Sequence, residues 1–264
     1  MPNTIHQIIA EKNVALCLCV RMARTVDVGA IAASAGFDAI YVDMEHSPIS
    51  TDDAAAICAA APGFGVVPFV RVPQDDTGLA SRLLDGGAHG VIFPHVETEE
   101  QAAALAASCI FPPGGTRSAV GPTVQVNFET LSQEEVGKRL DDLKFTTVMI
   151  ETEKGVSNAE EIANVEGVDM VMVGTADLSA VVGKPGSLNC PEVRDACERV
   201  AAACMNAGKL FALGGVRNDP AVAAEYVAMG AKFIIAGMDA TYFQQAASAD
   251  VTALKTVLSD CPSG

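Results

Sequence analysis

Charged and polar side chains stand directly after several short apolar runs of the sequence, where they could act together. They are Asp43, Glu45 and His46 after the second run, Arg71 at the end of the third, His95 after the fourth, Glu151 at the end of the fifth and Asp177 after the sixth. Carboxylates bind hard divalent cations, a histidine moves protons near neutral pH, and an arginine stabilises an anion that develops during a reaction. Each residue alone is compatible with a solvated rim, but together they indicate a site for chemistry.

The stretch VMIETEKG, residues 148–155, places Glu151 at the end of an apolar run, and Asp177 follows the next run along the chain. Two adjacent carboxylates repel each other and raise each other's pKa unless a cation lies between them. Hard oxygen ligands without histidine or cysteine favour Mg²⁺ or Mn²⁺, with water and substrate oxygens completing the shell. Glu153 is expected to face the other way, toward solvent or at a helix start.

These positions imply a repeated strand–helix unit. Eight β-rich runs alternate with Ala-rich segments of helical period, at 14–20, 38–43, 66–72, 90–93, 146–151, 168–173, 209–213 and 232–236. Continuous apolarity is typical of strands buried on both faces, and strand–helix alternation implies parallel pairing. We therefore predict an α/β fold, a (β/α)8 TIM barrel forming a single domain over residues 1–264. The alternative is a doubly wound open sheet, but nothing here resembles its Gly-x-Gly-x-x-Gly turn.

Active sites of such barrels lie at the C-terminal ends of the strands, so the side chains above are expected at one mouth. Helix starts are expected at Thr51-Asp52-Asp53, at Glu97 to Gln101 and at Asn218-Asp219-Pro220. The long irregular segment at about 109–130, between the fourth and fifth runs, is expected on the catalytic rim, where it could serve as a lid.

The composition limits the kinds of molecule that the protein is expected to bind. The formal net charge is −16 and the hydrophobic fraction is 50%, which predicts a globular chain and argues against nucleic acid or an anionic membrane surface, because both require clustered lysine and arginine. With no signal-like segment and no membrane-length apolar run, we expect a cytoplasmic protein that acts on small molecules. The cysteines include no Cys-x-x-Cys, and Cys190, Cys197 and Cys204 are expected as thiols on one helix face.

Six motifs, taken in order, resemble those of the HpcH/HpaI class II pyruvate aldolases, a family that includes 2-keto-3-deoxyglucarate and 4-hydroxy-2-oxoheptanedioate aldolases. They are YVDMEHSPIS, PFVRVP, RLLDGGAHGVIFPHVET, FPPGGTRS, VMIETEKGVSNAEEI and VEGVDMVMVGTADLSAVVG. The resemblance covers nearly the whole chain. It implies a barrel of the phosphoenolpyruvate/pyruvate-domain type and a metal-dependent carbon–carbon lyase that reversibly cleaves a 4-hydroxy-2-oxo acid to pyruvate, or a related 2-oxo acid, and an aldehyde.

The resemblance also implies residue roles. Glu151 and Asp177 would bind a divalent cation, Mg²⁺, Mn²⁺ or Co²⁺. His46 would be the catalytic acid/base, Arg71 would bind substrate and stabilise the enolate, and Asp85 would pair with His46. From the sequence alone Asp85 is the C-terminal end of a helix, and Asp43 and Glu45 are the nearer partners for that histidine.

Backbone amides from Gly174 through Ala176 to Asp177 would bind the pyruvate carboxylate. Three positions depart from the pattern of relatives and bear on substrate choice: Met149, Thr175 and Ser118. His95 is expected to be a rim histidine bonded to backbone, with contact to the second substrate as the alternative, and Arg117 either grips a substrate carboxylate or ties its loop down. Relatives form dimers packed into hexamers with the last helix exchanged, so a homo-oligomer is implied, although the stretch from Ala240 to Leu258 could equally close its own barrel.

Other classes of function remain as alternatives. A citrate-lyase β-like acyl-CoA lyase shares the metal carboxylates, but it favours a basic groove for the CoA phosphates. A phosphate site after the last two runs and a non-catalytic barrel that serves as a regulatory subunit are weaker, because neither explains the whole polar set. A Schiff-base mechanism would need one of Lys154, Lys184, Lys209 and Lys232, which stand beside Gly or Pro or at strand starts.

Overall fold

The computed structural model describes residues 4–187, 190–215 and 219–259. Eight parallel strands close into a barrel in chain order, and β1 pairs with β8. Their bounds are β1 Ala15–Val20, β2 Ala39–Asp43, β3 Val67–Arg71, β4 Gly90–Phe93, β5 Phe145–Ile150, β6 Met170–Gly174, β7 Leu210–Gly214 and β8 Ala231–Met238. The predicted (β/α)8 fold is confirmed, because all eight predicted runs overlap a strand of the barrel.

Helices follow the strands and cover the outside of the barrel. Their bounds are α1 Ile5–Lys12, α2 Asp27–Ser34, α3 Thr51–Ala60, α4 Thr77–Asp85, α5 Glu99–Ser108, α6 Gln133–Leu143, α7 Glu153–Ser157, α8 Ala159–Ala163, α9 Thr175–Val181, α10 Pro191–Ala207, α11 Pro220–Met229 and α12 Asp239–Ser259. Cys197 and Cys204 lie on the buried face of α10 and Cys190 precedes it, all three as free thiols.

Two apolar layers hold the strands. Inside the barrel, Phe69 packs against Phe145 and Phe233 with ring centroids 5.7 and 5.2 Å apart, and α1 closes the N-terminal end with buried Ile5 and Ile8. Outside, branched side chains of the strands pack against the helices. Strands buried on both faces explain why the sequence shows continuous rather than alternating apolarity.

Side-chain caps fix where the helices begin. Ser50 caps α3, Thr98 caps α5, and Asp219 accepts from the backbone N–H groups of Ala221 and Val222 at the start of α11. The predicted starts of these helices are confirmed to within a residue or two, and Asn218 lies outside the described residues. Each cap bonds backbone donors that the first helical turn cannot pair internally.

The segment 109–130 does not lie on the catalytic rim. Arg117 donates to the carboxylate of Asp85 at the end of α4, and the Gln125 side-chain amide donates to the carbonyl of Leu84. The α4–β4 turn lies at the N-terminal end of the barrel, opposite the mouth, because α4 runs antiparallel to the strands it connects. The expectation of a rim loop is therefore wrong, and Arg117 ties the segment down, with its guanidinium also 4.4 Å from the Phe111 ring centroid.

Helix α12 is attached to the preceding barrel at its start, where Asp239 accepts from the backbone N–H groups of Arg21, Met22 and Ala23, but from Tyr242 onward the helix is exposed. None of its 21 residues is buried, and large apolar side chains are exposed along it: Tyr242, Phe243, Val251, Leu254, Val257 and Leu258. Leu16, which points outward from β1, is also 38% exposed. The helix therefore does not close its own barrel. In the described part of the chain, no helix combines the length and the apolarity needed to cross a bilayer.

Candidate active site

A cavity of about 260 Å³ opens at the C-terminal ends of the strands. Its lining includes most of the predicted site residues, namely His46, Arg71, Glu151, Gly174, Ala176 and Asp177, together with Cys19, Arg21, Tyr41, Met149, Thr175, Gly214, Gly215, Ile235 and Gly237. These groups come from strands distant in sequence, and only the closed barrel brings them to one place.

Arg71 is held rigidly at the end of β3. Its Nε and Nη2 donate to the two carboxylate oxygens of Asp43, at 3.0 and 2.7 Å, and its side chain is almost fully buried. Arg21 donates from Nε to the same carboxylate at 2.5 Å. Burial alone would raise the pKa of Asp43, but the hydrogen bonds and charges of the two arginines outweigh it and hold that pKa below its ordinary value. The guanidinium of Arg71 is therefore a fixed positive charge in the wall of the cavity.

Glu45 connects this arginine with the two histidines of the mouth. Its Oε2 lies 3.1 Å from Arg71 Nη1 and 3.6 Å from His46 Nε2, and its Oε1 lies 3.2 Å from His95 Nε2. The imidazole of His46 is half exposed and borders the cavity. Glu45, one of the two partners that the sequence suggested for His46, is therefore the carboxylate in contact with it.

His95 is not a rim histidine bonded only to backbone. Its Nδ1 lies 3.1 Å from Glu151 Oε2, and its backbone N–H donates to the same oxygen at 3.0 Å. It is not among the residues that line the cavity, and contact with a second substrate stays a prediction. Nothing in the linear sequence indicates that its side chain reaches a carboxylate on the next strand.

Glu151 is a buried carboxylate, 2% exposed, at the end of β5. Burial raises its pKa to about 8, and the neighbouring Asp177 carboxyl adds to this, although the backbone N–H of His95 and the charge of Arg71 act in the opposite direction. Asp177 lies in the first turn of α9, directly after β6. Glu153 begins α7 and is exposed, as expected.

The pair fits a hard divalent cation. Asp177 adds to the raised pKa of the buried Glu151, and a cation between the two carboxyl groups would relieve this. Within the described ranges, no cluster of three or more histidine, cysteine, aspartate or glutamate side chains could hold a metal. Oxygen atoms of water and substrate would therefore have to complete the coordination, as is common for Mg²⁺ and Mn²⁺.

Gly174 makes room for this carboxylate. A Cβ at this position would lie 2.4 Å from Glu151 Oε1, closer than any real contact. Its φ is −85°, so the requirement is for space rather than for conformation. The next residue, Thr175, donates from Oγ1 to the carbonyl of Gly214 at 2.7 Å, which ties the start of α9 to the neighbouring strand.

The pairing implied for Asp85 is not formed within the chain. Asp85 ends α4 at the N-terminal end of the barrel, where its Oδ1 accepts from Arg117 Nη2 at 2.7 Å. His46 lies at the other end, so the length of the barrel separates the two side chains. A role for Asp85 on His46 is open only to a second copy of the chain.

The remaining candidates have ordinary structural surroundings. The four lysines considered for a Schiff base contact Glu97, Glu192, the carbonyls of Val165 and Val168, and Asn13 respectively, and none lines the cavity. Met149 is buried in the cavity wall, and Ser118 is exposed in the segment 109–130. His89 is buried directly before β4, and burial lowers its pKa to about 4.

Metal binding at Glu151 should depend on pH. Because the pKa of Glu151 is raised to about 8 in the metal-free protein, a cation must displace its proton below that pH, and we expect Mn²⁺ affinity to rise about tenfold per pH unit up to pH 8 and then level off. Calorimetric titration at pH 7 in buffers of different ionisation enthalpy should show release of about one proton. Equal affinity at pH 6 and pH 9 would contradict the assignment of Glu151 as a ligand.

Gly174→Ala should weaken Mn²⁺ binding at least tenfold, because the added methyl group takes the space of the Glu151 carboxylate. Gly214→Ala is the matched control: Gly214 pairs in register with Gly174 at the end of the adjacent strand, and a Cβ there meets no atom closer than 3.5 Å. Electron paramagnetic resonance of free Mn²⁺ measures both variants. An equal loss of Mn²⁺ affinity in the two variants would show that any added methyl group at the strand ends weakens binding, whether or not it meets the Glu151 carboxylate.

Comparisons with known proteins agree with this architecture. A curated relative, the 4-hydroxy-4-methyl-2-oxoglutarate aldolase of Hapsidospora irregularis, is 36% identical over 97% of this chain and 98% of its own length. The hydroxypyruvate/pyruvate aldolase of Deinococcus radiodurans is 36% identical over 82% of this chain and 77% of its own. Among solved structures, an HpcH/HpaI aldolase from Desulfitobacterium hafniense DCB-2 superposes with a TM-score of 0.89 at 27% identity, covering 98% of each chain.

The sequence profile of the family described as HpcH/HpaI aldolase/citrate lyase matches residues 5–246. The match spans all eight strands and every residue that lines the cavity. By fold and by sequence, this chain belongs to the HpcH/HpaI aldolase/citrate lyase family.

Proposed function

We propose that the chain is a class II pyruvate aldolase that reversibly cleaves a 4-hydroxy-2-oxo acid to pyruvate, or a related 2-oxo acid, and an aldehyde or ketone. The observation that carries the proposal is the meeting of a buried, fixed arginine with a pair of facing carboxylates in one cavity. The names of the aldolase relatives support the reaction class.

The reaction needs a place for negative charge. Breaking the C3–C4 bond leaves its electron pair on the 2-oxo acid fragment, as an enolate whose charge lies on the keto oxygen. Arg71 stabilises that oxygen more strongly than it stabilises the neutral ketone, and Asp43 holds the guanidinium so that it need not reorganise. A divalent cation held by Glu151 and Asp177 would supply further positive charge at this position when bound.

His46 handles the proton. In the cleavage direction its imidazole accepts the proton of the 4-hydroxyl group, directly or through water, as the carbonyl of the leaving aldehyde forms. Glu45 Oε2, 3.6 Å from Nε2, favours the imidazolium that results. The half-exposed position of His46 allows the proton to exchange with solvent between turnovers.

The start of α9 supports the substrate carboxylate. Backbone N–H groups from Gly174 through Ala176 to Asp177 border the cavity, and the first N–H groups of a helix lack internal partners. The Thr175 bond to the Gly214 carbonyl holds these amides against the neighbouring strand. The carboxylate of a 2-oxo acid would therefore be bound by the backbone rather than by a side chain.

A substrate panel tests the proposal. Purified protein is incubated with 4-hydroxy-2-oxo acids, with and without EDTA, and release of pyruvate is followed by a coupled assay. Acyl-CoA substrates form a second arm, which covers the acyl-CoA lyases of the same family. EDTA-sensitive pyruvate release supports the proposal. Thioester cleavage alone, or no reaction with any member of the panel in the presence of Mg²⁺, Mn²⁺ or Co²⁺, contradicts it.

Arg71→Lys should reduce turnover on a cleavable 4-hydroxy-2-oxo acid by about 10²-fold or more, as for the loss of one oxyanion donor. Lysine keeps the charge but loses the planar fork that pairs with Asp43. Mn²⁺ affinity should change little, because Arg71 is not a ligand. Near-normal turnover in this variant would remove Arg71 from the catalytic set.

We further propose that the active form is a homo-oligomer in which α12 packs on a neighbouring barrel. The exposed apolar side chains of α12 and the exposed Leu16 on β1 are the two surfaces that such an exchange would cover. An assembly is also the only arrangement that could bring Asp85 of one copy to His46 of another.

Sedimentation velocity at micromolar concentration should show an assembly larger than a monomer. Leu254→Glu together with Val257→Glu should shift it toward monomer, because two charges on the apolar stripe of α12 would be buried at the contact. Gln245→Glu places a charge on the same helix outside the apolar set and serves as control. A stable monomer of the unaltered chain would contradict the exchanged assembly.

A further inference from the structure

His95 occupies an unusual backbone position between β4 and α5. Its φ is +56°, in the left-handed region that a branched or bulky residue enters at a cost. Its backbone N–H donates to Glu151 Oε2, while the carbonyl of the same residue lies 3.4 Å from the side-chain amide of Gln101. Contacts at both its N–H group and its carbonyl therefore hold His95 in this conformation.

From this position the imidazole reaches two carboxylates on different elements. Nδ1 lies 3.1 Å from Glu151 Oε2, so the backbone and the ring of one residue meet the same oxygen. Nε2 lies 3.2 Å from Glu45 Oε1. The other oxygen of Glu151, Oε1, lies beside Gly174, and the other oxygen of Glu45 contacts Arg71 and His46.

We propose that His95 is a positioning residue that joins the cation-binding half of the site to its proton-transferring half, an inference that rests on the proposed function. The Nδ1 side fixes which oxygen of Glu151 faces a cation. The Nε2 side fixes Glu45, and through Glu45 the side chains of His46 and Arg71. This role works through Glu151 and Glu45, and His95 itself is not among the residues that line the cavity.

His95 orients the carboxylates of Glu151 and Glu45. Glu151 has rotatable bonds to its carboxylate, and a cation ligand loses affinity when its carboxylate must first be ordered. Outer groups that orient a metal ligand typically contribute 10–100-fold in affinity or activity. The same requirement applies to Glu45 and His46. If the Glu45 carboxylate were free to turn toward solvent, it would no longer hold the imidazole of His46.

Two amide substitutions separate the two sides. In His95→Asn the side-chain nitrogen can occupy the place of Nδ1, and asparagine tolerates positive φ, but nothing reaches Glu45. In His95→Gln the nitrogen can occupy the place of Nε2, and nothing replaces Nδ1. His95→Leu removes both. His6→Asn and His6→Gln make the same changes on an exposed histidine of α1, at the far end of the barrel.

Mn²⁺ alone is titrated into each full-length variant and free Mn²⁺ is followed by electron paramagnetic resonance; kcat and KM are measured separately on a 4-hydroxy-2-oxo acid. We expect His95→Asn to bind Mn²⁺ within about twofold of the unaltered chain but to lose about tenfold in kcat. We expect His95→Gln to bind Mn²⁺ about tenfold more weakly. His95→Leu should show both losses, and the His6 variants neither.

The outcome that overturns the inference is Mn²⁺ affinity and kcat within twofold of the unaltered chain in all three His95 variants. A uniform loss in all three, parallel to a fall in melting temperature, also overturns it, since a merely structural role would not separate Asn from Gln. The Mn²⁺ titrations need no substrate. If no aldol substrate is found, these titrations still test whether Nδ1 of His95 positions Glu151. Failure of the proposed reaction can therefore be distinguished from failure of the inference.

Discussion

The carboxylate of Asp43, fully buried at the end of β2, is the group around which the mouth of the barrel is built. It binds Arg71 through two parallel hydrogen bonds and takes a third from Arg21. It also accepts from the backbone N–H groups of Glu45 and His46 at 3.2 and 3.3 Å. One side chain therefore sets the direction of the arginine and the course of the loop that carries the histidine. Removing it would leave the buried guanidinium of Arg71 with only Glu45, 3.1 Å from its Nη1, and breaking a buried ion pair typically costs about 3–5 kcal/mol.

The remaining charges divide the mouth into two halves. On one side, Asp43 and Glu45 are balanced by Arg21 and Arg71, and this half needs no further ion. On the other, the Asp177 carboxyl lies beside that of Glu151, and burial together with this neighbour raises the pKa of Glu151. Positive charge is therefore lacking only beside Glu151 and Asp177, which is where the proposed reaction develops an anion. The acidic character of the whole chain is thus unrelated to the site, which is itself nearly balanced once a cation is bound.

The strands and most of the site could be predicted from sequence, because each depends on local pattern. Apolar runs of strand length gave the eight strands, and the rule that barrel sites lie at strand C-termini selected Arg71, Glu151 and Asp177 before any relative was considered. The predictions that were wrong depend on three-dimensional geometry that the order of residues does not show directly. The segment 109–130 follows a helix rather than a strand, and that order alone could have placed it at the N-terminal end. Asp85 ends a helix, and the same reasoning applies.

The contacts of His95 and Asp43 could not be predicted for another reason. Each acts on a residue of the adjacent strand, 56 and 28 residues away in sequence, and nothing in its own sequence surroundings shows which atoms it meets. The weak signal for His95 is that a titratable residue stands at a strand end where the chain must turn. For Asp43, the signal is its place opposite Arg71 in the register of β2 and β3.

The exposed helix α12 has a consequence for how the molecule is made. Its start is attached to the barrel, where Asp239 accepts from the backbone N–H groups of Arg21, Met22 and Ala23, but none of its 21 residues is buried, so burial within the chain contributes little to its stability. With a second copy as the proposed cover, the final stage of folding becomes bimolecular, so its rate rises with protein concentration and its stability follows mass action. Newly synthesised chains would then expose the apolar side chains of α12 until they associate. The time before association would determine how long they are open to aggregation and to proteases.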